Sequence, residues 1–144
     1  MIRIGLCGFG TVGQSLVRHL LDHKKIISKK ISSEYEIIYI ADRSIDKKNY
    51  PKHIKVTKNI MDLANPDKVD ILVELIGDEN KTYPLIKQAI KNKINIVTAN
   101  KALIANKGSE IFDLVKKHNV FFGFEASVAG AIPVIRSLKT SMTN

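Results

Sequence analysis

The six residues Gly8-Phe9-Gly10-Thr11-Val12-Gly13 decide how this chain is read. They follow an apolar run, Ile2 to Cys7, and open onto an amphipathic run from Thr11 to Leu21. Strand, glycine turn, helix is the context in which G-x-G-x-x-G points to a bound dinucleotide; elsewhere the spacing is a weak signal. Each glycine has a separate task. Gly8 permits the tight turn, Gly10 lets the backbone approach a pyrophosphate, and Gly13 lets helix and strand pack closely. The pyrophosphate would sit at the helix N-terminus, where unpaired N–H groups and the helix dipole favour negative charge. The plain alternative is a strand-to-helix turn that uses glycine only for backbone freedom. The motif's place, after one strand at the start of the sequence, favours the dinucleotide.

The 144 residues suit one domain with its own core. With 44% hydrophobic and 26% charged residues the composition is that of a soluble globular protein. No apolar run approaches the ~20 residues of a membrane-spanning helix. Met1-Ile2-Arg3-Ile4 enters a strand directly, without the basic region or cleavage site of a secretory leader, so a cytoplasmic location is expected. Cys7, the single cysteine, falls in a strand expected to be buried and reads as a small core hydrophobe. The net charge of +9 would suit a nucleic-acid partner. However, the lysines are spread along the chain and only 6% of residues are aromatic, too few for base stacking. The charge reads as solvated surface, and neither nucleic acid nor membrane is expected as a partner.

Taken in order, His23 to Ser33 reads as a polar, basic connection and Tyr35 to Ala41 as a second strand. Ile54 to Thr57 is a short strand, and Ile60 to Ala64 a short helix stopped by Pro66. Val69 to Ile76 is a buried parallel strand ended by Gly77. A helix then begins at Thr82 with Pro84 in its first turn and Leu85, Ile86, Ala89 and Ile90 as its core stripe. Ile94 to Val97 is a strand, Lys101 to His118 a helical region with a possible break at Gly108, and Val120 to Phe124 a strand. Glu125 to Ile132 reads as loop, and Pro133 begins a last helix. Strands alternating with helices imply an α/β fold, a Rossmann-like doubly wound and mostly parallel sheet. Ligands of such sheets bind at the carboxyl ends of the strands.

Those ends hold most of the unusual residues. Asp42 at the end of the second strand would take ribose hydroxyls, whereas Arg43 would suit a 2′-phosphate, so NAD and NADP both stay open. Lys101 stands at a helix start, where a cation opposes the dipole. It either faces solvent or serves the substrate near a nicotinamide, by binding its oxygen or by proton transfer. The segment from Glu125 to Pro133 has small side chains and carbonyls able to wrap a hard cation, with Glu125 as the charged anchor. The four histidines are scattered and read as surface residues.

Four stretches together closely resemble homoserine dehydrogenase: the glycine turn, Val73 to Gly77, Thr98-Ala99-Asn100-Lys101-Ala102-Leu103, and Phe124 to Pro133. The likeness spans the chain in family order. It implies reduction of L-aspartate 4-semialdehyde to L-homoserine with NADH or NADPH, in the pathway to threonine, methionine and isoleucine. It also implies cofactor contacts from Gly8, Phe9, Gly10, Thr11, Val12, Gly13, Arg43, Gly77, Thr98 and Lys101. Lys101 matches one of two family lysines implicated in the chemistry, and Glu125, Val128, Gly130 and Ile132 match positions that bind a sodium ion. Ala131 departs from the pattern, since glycine is common there. In the family a substrate and dimerisation region follows, with the second lysine and the contacts of a homodimer. Residues 1–144 are therefore expected to form an NAD(P)-binding domain inactive alone, the alternative being a stand-alone dinucleotide-binding or sensing module.

Overall fold

The computed structural model describes residues 1–128 and 134–136. Six strands form one sheet: β1 (Ile2–Cys7), β2 (Tyr35–Ala41), β3 (Lys55–Thr57), β4 (Ile71–Glu74), β5 (Asn95–Thr98) and β6 (Phe122–Gly123). All neighbours are parallel and the order is β3-β2-β1-β4-β5-β6, that of a Rossmann-like doubly wound sheet. The helices are α1 (Thr11–Asp22), α2 (Lys24–Ile31), α3 (Glu79–Lys91), α4 (Lys101–His118) and the single turn α5 (Glu125–Val128). A parallel sheet is stable only when both faces are covered, and side chains alternate between them. One face carries Leu6, Ile37, Ile40 and Val73 in a cluster with Val17 and Leu16 of α1. The other carries Cys7, Leu72 and Ile96 with Leu85, Ile86 and Ile90 of α3 and Leu103 and Ile111 of α4.

Ile37 and Ile40 share a face although simple alternation would separate them. The reason lies in the pairing of β1 with β2. Ile4 lies opposite Ile37 and Gly5 opposite Tyr39, so Ile38 is an extra residue, a β-bulge.

Several local expectations need correction. His23 to Ser33 is no open connection, because residues 24–31 form α2. Its lysines and isoleucines include no glycine or proline, Ser28 is buried, and Lys29 and Lys30 complement the dipole in the last turn. Ser32, at φ 53°, ends it in the left-handed conformation. The short helix at Ile60–Ala64 is a 3-10 helix. α3 starts at Glu79 rather than Thr82, because Asp78 caps it by accepting from the Lys81 N–H. Pro84 therefore lies in the second turn, where it leaves the Asn80 carbonyl without its usual helical donor. α4 runs unbroken through Gly108. Glu125 to Val128 coils into α5 where loop was expected, with the Ser127 N–H donating to the Phe124 carbonyl at 2.9 Å. Of the helix expected from Pro133, residues 134–136 are helical, while Pro133 and Leu138 lie outside the described residues.

Candidate dinucleotide-binding site

At the carboxyl end of β1 the chain turns at Gly8, whose φ of +102° is open to glycine and strained for other residues. A Cβ on Gly13 would stand 2.3 Å from the Gly8 carbonyl oxygen, so α1 can sit this close to β1 only without a side chain there. Gly10 is different. A Cβ there would meet nothing within 4 Å. The protein's own packing does not demand a glycine at this position, and the open space belongs to the adjoining cleft. Gly10 is also the N-cap of α1 and offers no side-chain cap, nor does an acid stand in the first turn. The exposed first turn, Thr11 and Val12, thus presents helix N–H groups that lack intrahelical partners. Such a terminus is suited to an anion.

The cleft holds about 590 Å³ and lies over the ends of β1, β2 and β4, where the strand order reverses direction. Asp42 and Arg43 form part of its wall. Arg43 is exposed. Asp42 is buried at 7% exposure and both its oxygens accept hydrogen bonds. Its Oδ2 accepts from the Phe9 N–H at 3.1 Å and from Lys48 Nζ at 2.5 Å, and its Oδ1 accepts from the Ser44 N–H at 2.8 Å. Lys48 Nζ also donates to the Phe9 carbonyl at 2.8 Å. Burial pushes the Asp42 carboxyl up, but the Lys48 ammonium and the two N–H donors outweigh it and hold it below the usual carboxylate range. Phe9 is buried, with its ring 4.8 Å from that of Tyr50. The Tyr50 hydroxyl is buried too, and burial followed by the Asp42 charge raises its pKa. Lys48 carries no motif that marks it in the sequence. The only signal for it was the need of a buried acid for a cation, and several lysines nearby met that description.

A second set of residues stands at the ends of β4 and β5. Glu74 is fully buried. Its Oε1 accepts from the N–H groups of Ile76 at 2.8 Å and Gly77 at 3.2 Å, and its Oε2 accepts from the Thr98 hydroxyl at 2.6 Å. Gly77 has φ +75°, and a Cβ there would meet nothing within 4 Å. The Thr98 hydroxyl accepts in turn from the Asn100 N–H at 3.0 Å, and the Thr98 carbonyl accepts from the Ser127 hydroxyl at 2.8 Å. Asn100 caps α4 through the Leu103 N–H at 3.0 Å and donates to the Thr82 hydroxyl at 3.2 Å. This network ties β4, β5, α3 and α4 together just beneath the strand ends. A buried carboxylate is tolerable because every part of it is hydrogen-bonded. Lys101 follows directly as the first residue of α4 and is exposed.

Of the expected cation positions, Glu125 opens α5 and both its carboxylate oxygens accept from the Arg136 N–H at 3.3 Å. Val128 ends α5 and is exposed; Gly130 and Ile132 lie outside the described residues. Among the described residues no cluster of three or more His, Cys, Asp or Glu side chains is placed to hold a metal. Cys7 is buried at the end of β1, and burial with the charges of Glu74 and Asp42 pushes its thiol far up, which fits a core role. Among the described residues no helix is long and apolar enough to cross a membrane.

The family profile of the homoserine dehydrogenase NAD-binding domain matches residues 8–125. The chain belongs to that family. Homoserine dehydrogenase of Pseudomonas aeruginosa is 37% identical over 142 residues, which are 99% of this chain and 33% of that protein. That of Synechocystis is 39% identical over 144 residues, 98% of this chain and 33% of the relative. The crystal structure of homoserine dehydrogenase from Thiobacillus denitrificans superposes with a TM-score of 0.91 at 37% identity, over 99% of this chain and 33% of its own. A hyperthermophilic archaeal homoserine dehydrogenase in complex with NADPH matches with a TM-score of 0.76 at 25% identity, over 95% of this chain and 47% of its own. The chain thus spans about a third of the length of most of these relatives.

Proposed function

We propose that this chain is the NADPH- or NADH-binding part of a homoserine dehydrogenase that interconverts L-aspartate 4-semialdehyde and L-homoserine. The observation that carries this reading is Gly10: open space beside an uncapped helix N-terminus, in a cleft at the switch point of the sheet. The glycine turn and the N–H groups of Thr11 and Val12 would hold the pyrophosphate, and Arg43 would face the adenosine ribose. The likeness to a homoserine dehydrogenase in complex with NADPH supports the choice of ligand class.

When bound, the dihydronicotinamide supplies the hydride. Glu74 and Thr98, both buried, would brace the ends of β4 and β5 beneath that ring, and Gly77 would leave space beside it. Lys101, exposed at the start of α4, would orient the substrate oxygen and move its proton. Glu125, Val128, Gly130 and Ile132 would hold a sodium ion, largely through carbonyl oxygens; Val128 ends a helical turn, where carbonyls lack intrahelical donors. Residues 1–144 act in this reading as one NAD(P)-binding domain. Substrate contacts, the second lysine and a homodimer interface would come from the other two-thirds of such an enzyme, in the cytoplasm.

The test is fluorescence titration of the 144 residues with NADPH and NADH, beside a turnover assay on a longer polypeptide that continues as the relatives do. Binding by the short chain and turnover by the long one are expected, with Lys101→Ala in the latter lowering kcat at least about 100-fold. Binding of neither dinucleotide would remove the proposal, and unchanged turnover of Lys101→Ala would remove Lys101 from it.

A further inference from the structure

A carboxylate at the end of the second strand of such a sheet accepts hydrogen bonds from the ribose hydroxyls and repels a 2′-phosphate. An arginine at the same place has the opposite preference. This chain has both, side by side, as Asp42 and Arg43. Which of them governs the choice depends on how free the carboxylate is.

Asp42 is far from free. A carboxylate has about four lone-pair sites. Three are taken here, by the Phe9 N–H, the Ser44 N–H and Lys48 Nζ. A ribose diol would find one acceptor site where it needs two. The charge is offset as well. Lys48 stands 2.5 Å from Oδ2, with the pair only 26% and 6% exposed, so solvent screens their attraction little. The second bond of Lys48, to the Phe9 carbonyl, fixes the ammonium from another side and keeps it on the carboxylate. The two remaining lysines of the cleft wall are already paired, Lys58 with Asp46 and Lys81 with Asp78, each at 2.8 Å. Arg43 makes no ion pair among the described residues.

From this geometry we infer that Lys48 sets the dinucleotide preference: clamped on Asp42, it cancels the charge that would turn away a 2′-phosphate. The inference rests on the dinucleotide reading above and adds to it a residue that acts through Asp42. Lys48 is a positioning and charge-balancing residue. With it, Arg43 governs and the 2′-phosphorylated dinucleotide is admitted. Without it, Asp42 keeps only its two N–H donors, and its uncompensated charge and open acceptor sites select the unmodified ribose.

The experiment is fluorescence titration of the 144-residue chain with NADPH and NADH, for wild type, Lys48→Met, Asp42→Asn and the double variant. Lys48→Met should weaken NADPH at least about tenfold more than NADH, which corresponds to about 1.4 kcal/mol. The double variant should bring the NADPH-to-NADH ratio back to within about threefold of wild type, because the repelling charge is gone. Equal weakening of both dinucleotides by Lys48→Met would overturn the inference and leave Lys48 as a clamp on the Phe9 backbone. Should Lys48→Met fail to fold, Lys48→Gln takes its place: its NADPH-to-NADH ratio should fall and be restored by adding Asp42→Asn, and an unchanged ratio overturns the inference. Wild type binding neither dinucleotide would remove the dinucleotide reading itself, an outcome distinct from parallel loss in the variants.

Discussion

Gly13 and Gly10 lie three residues apart and answer to different demands. At Gly13 the demand is internal, since an added methyl would stand 2.3 Å from a backbone oxygen that cannot move aside. Gly13→Ala is expected to lower stability by about 2 kcal/mol or more in urea denaturation, within the usual cost of overpacking. At Gly10 the demand is external. Its φ of −79° suits alanine and the space is open, so Gly10→Ala should stay within about 1 kcal/mol of wild type. The same variant should weaken dinucleotide binding at least about tenfold, because its methyl occupies the ground of the pyrophosphate. A Gly10→Ala chain that bound as well as wild type would show that the open space is incidental. Asp42 makes a prediction of another kind. Its folded pKa is depressed by Lys48 and two N–H donors, against burial. A depressed carboxyl stabilises the fold above its unfolded pKa of about 3.9, and that contribution is lost as the pH falls through the lower, folded value. Stability measured from about pH 6 down to about pH 3 should therefore fall less steeply for Asp42→Asn than for wild type.

At the scale of elements, α4 owes its start to Asn100, which caps the Leu103 N–H and reaches the Thr82 hydroxyl of α3. Asn100→Ala should cost about 1–2 kcal/mol, read as a lower urea midpoint with unchanged slope. Loss of much less would mean that neighbouring packing alone sets the start of the helix. The alternation of strand and helix was legible in the sequence because β1, β2, β4 and β5 are apolar runs closed by glycine or polar residues. α2 was not legible. Its run of lysines reads as a polar connection, and packing adds what the sequence does not show: Ile27 packs on the β-sheet cluster and Ser28 is buried. The start of α3 was missed because Pro84 suggested a first turn, whereas the Asp78 cap three residues before Lys81 was the better signal. Of the strand-end residues legible in the sequence, Gly8, Phe9, Gly10, Asp42 and Arg43 line the cleft, and Gly77 and Lys101 are not among its lining residues. Glu74 and Lys48 were not legible, because pairing across 24 residues to Thr98, or six to Asp42, leaves no periodic mark in a sequence.

For the molecule as a whole, the cleft joins residues from the ends of three strands and the turns beyond them, so its occupant stabilises only the folded chain. NADPH at about 100 times its Kd should add about 2.7 kcal/mol, which for a chain of this size is roughly 6–10 °C in Tm. A thermal melt unaffected by saturating NADPH and NADH would contradict the placement of the ligand over the sheet. One feature of that sheet bears on changes in chain length. Because Ile4 faces Ile37 and Gly5 faces Tyr39, Ile38 has no counterpart in β1. A chain one residue shorter at Ile38 would keep Ile37 and Ile40 on their present face and deliver Asp42 to the cleft in the same register. β2 thus contains one position whose removal the pleat would absorb, with the cleft beyond it kept in register.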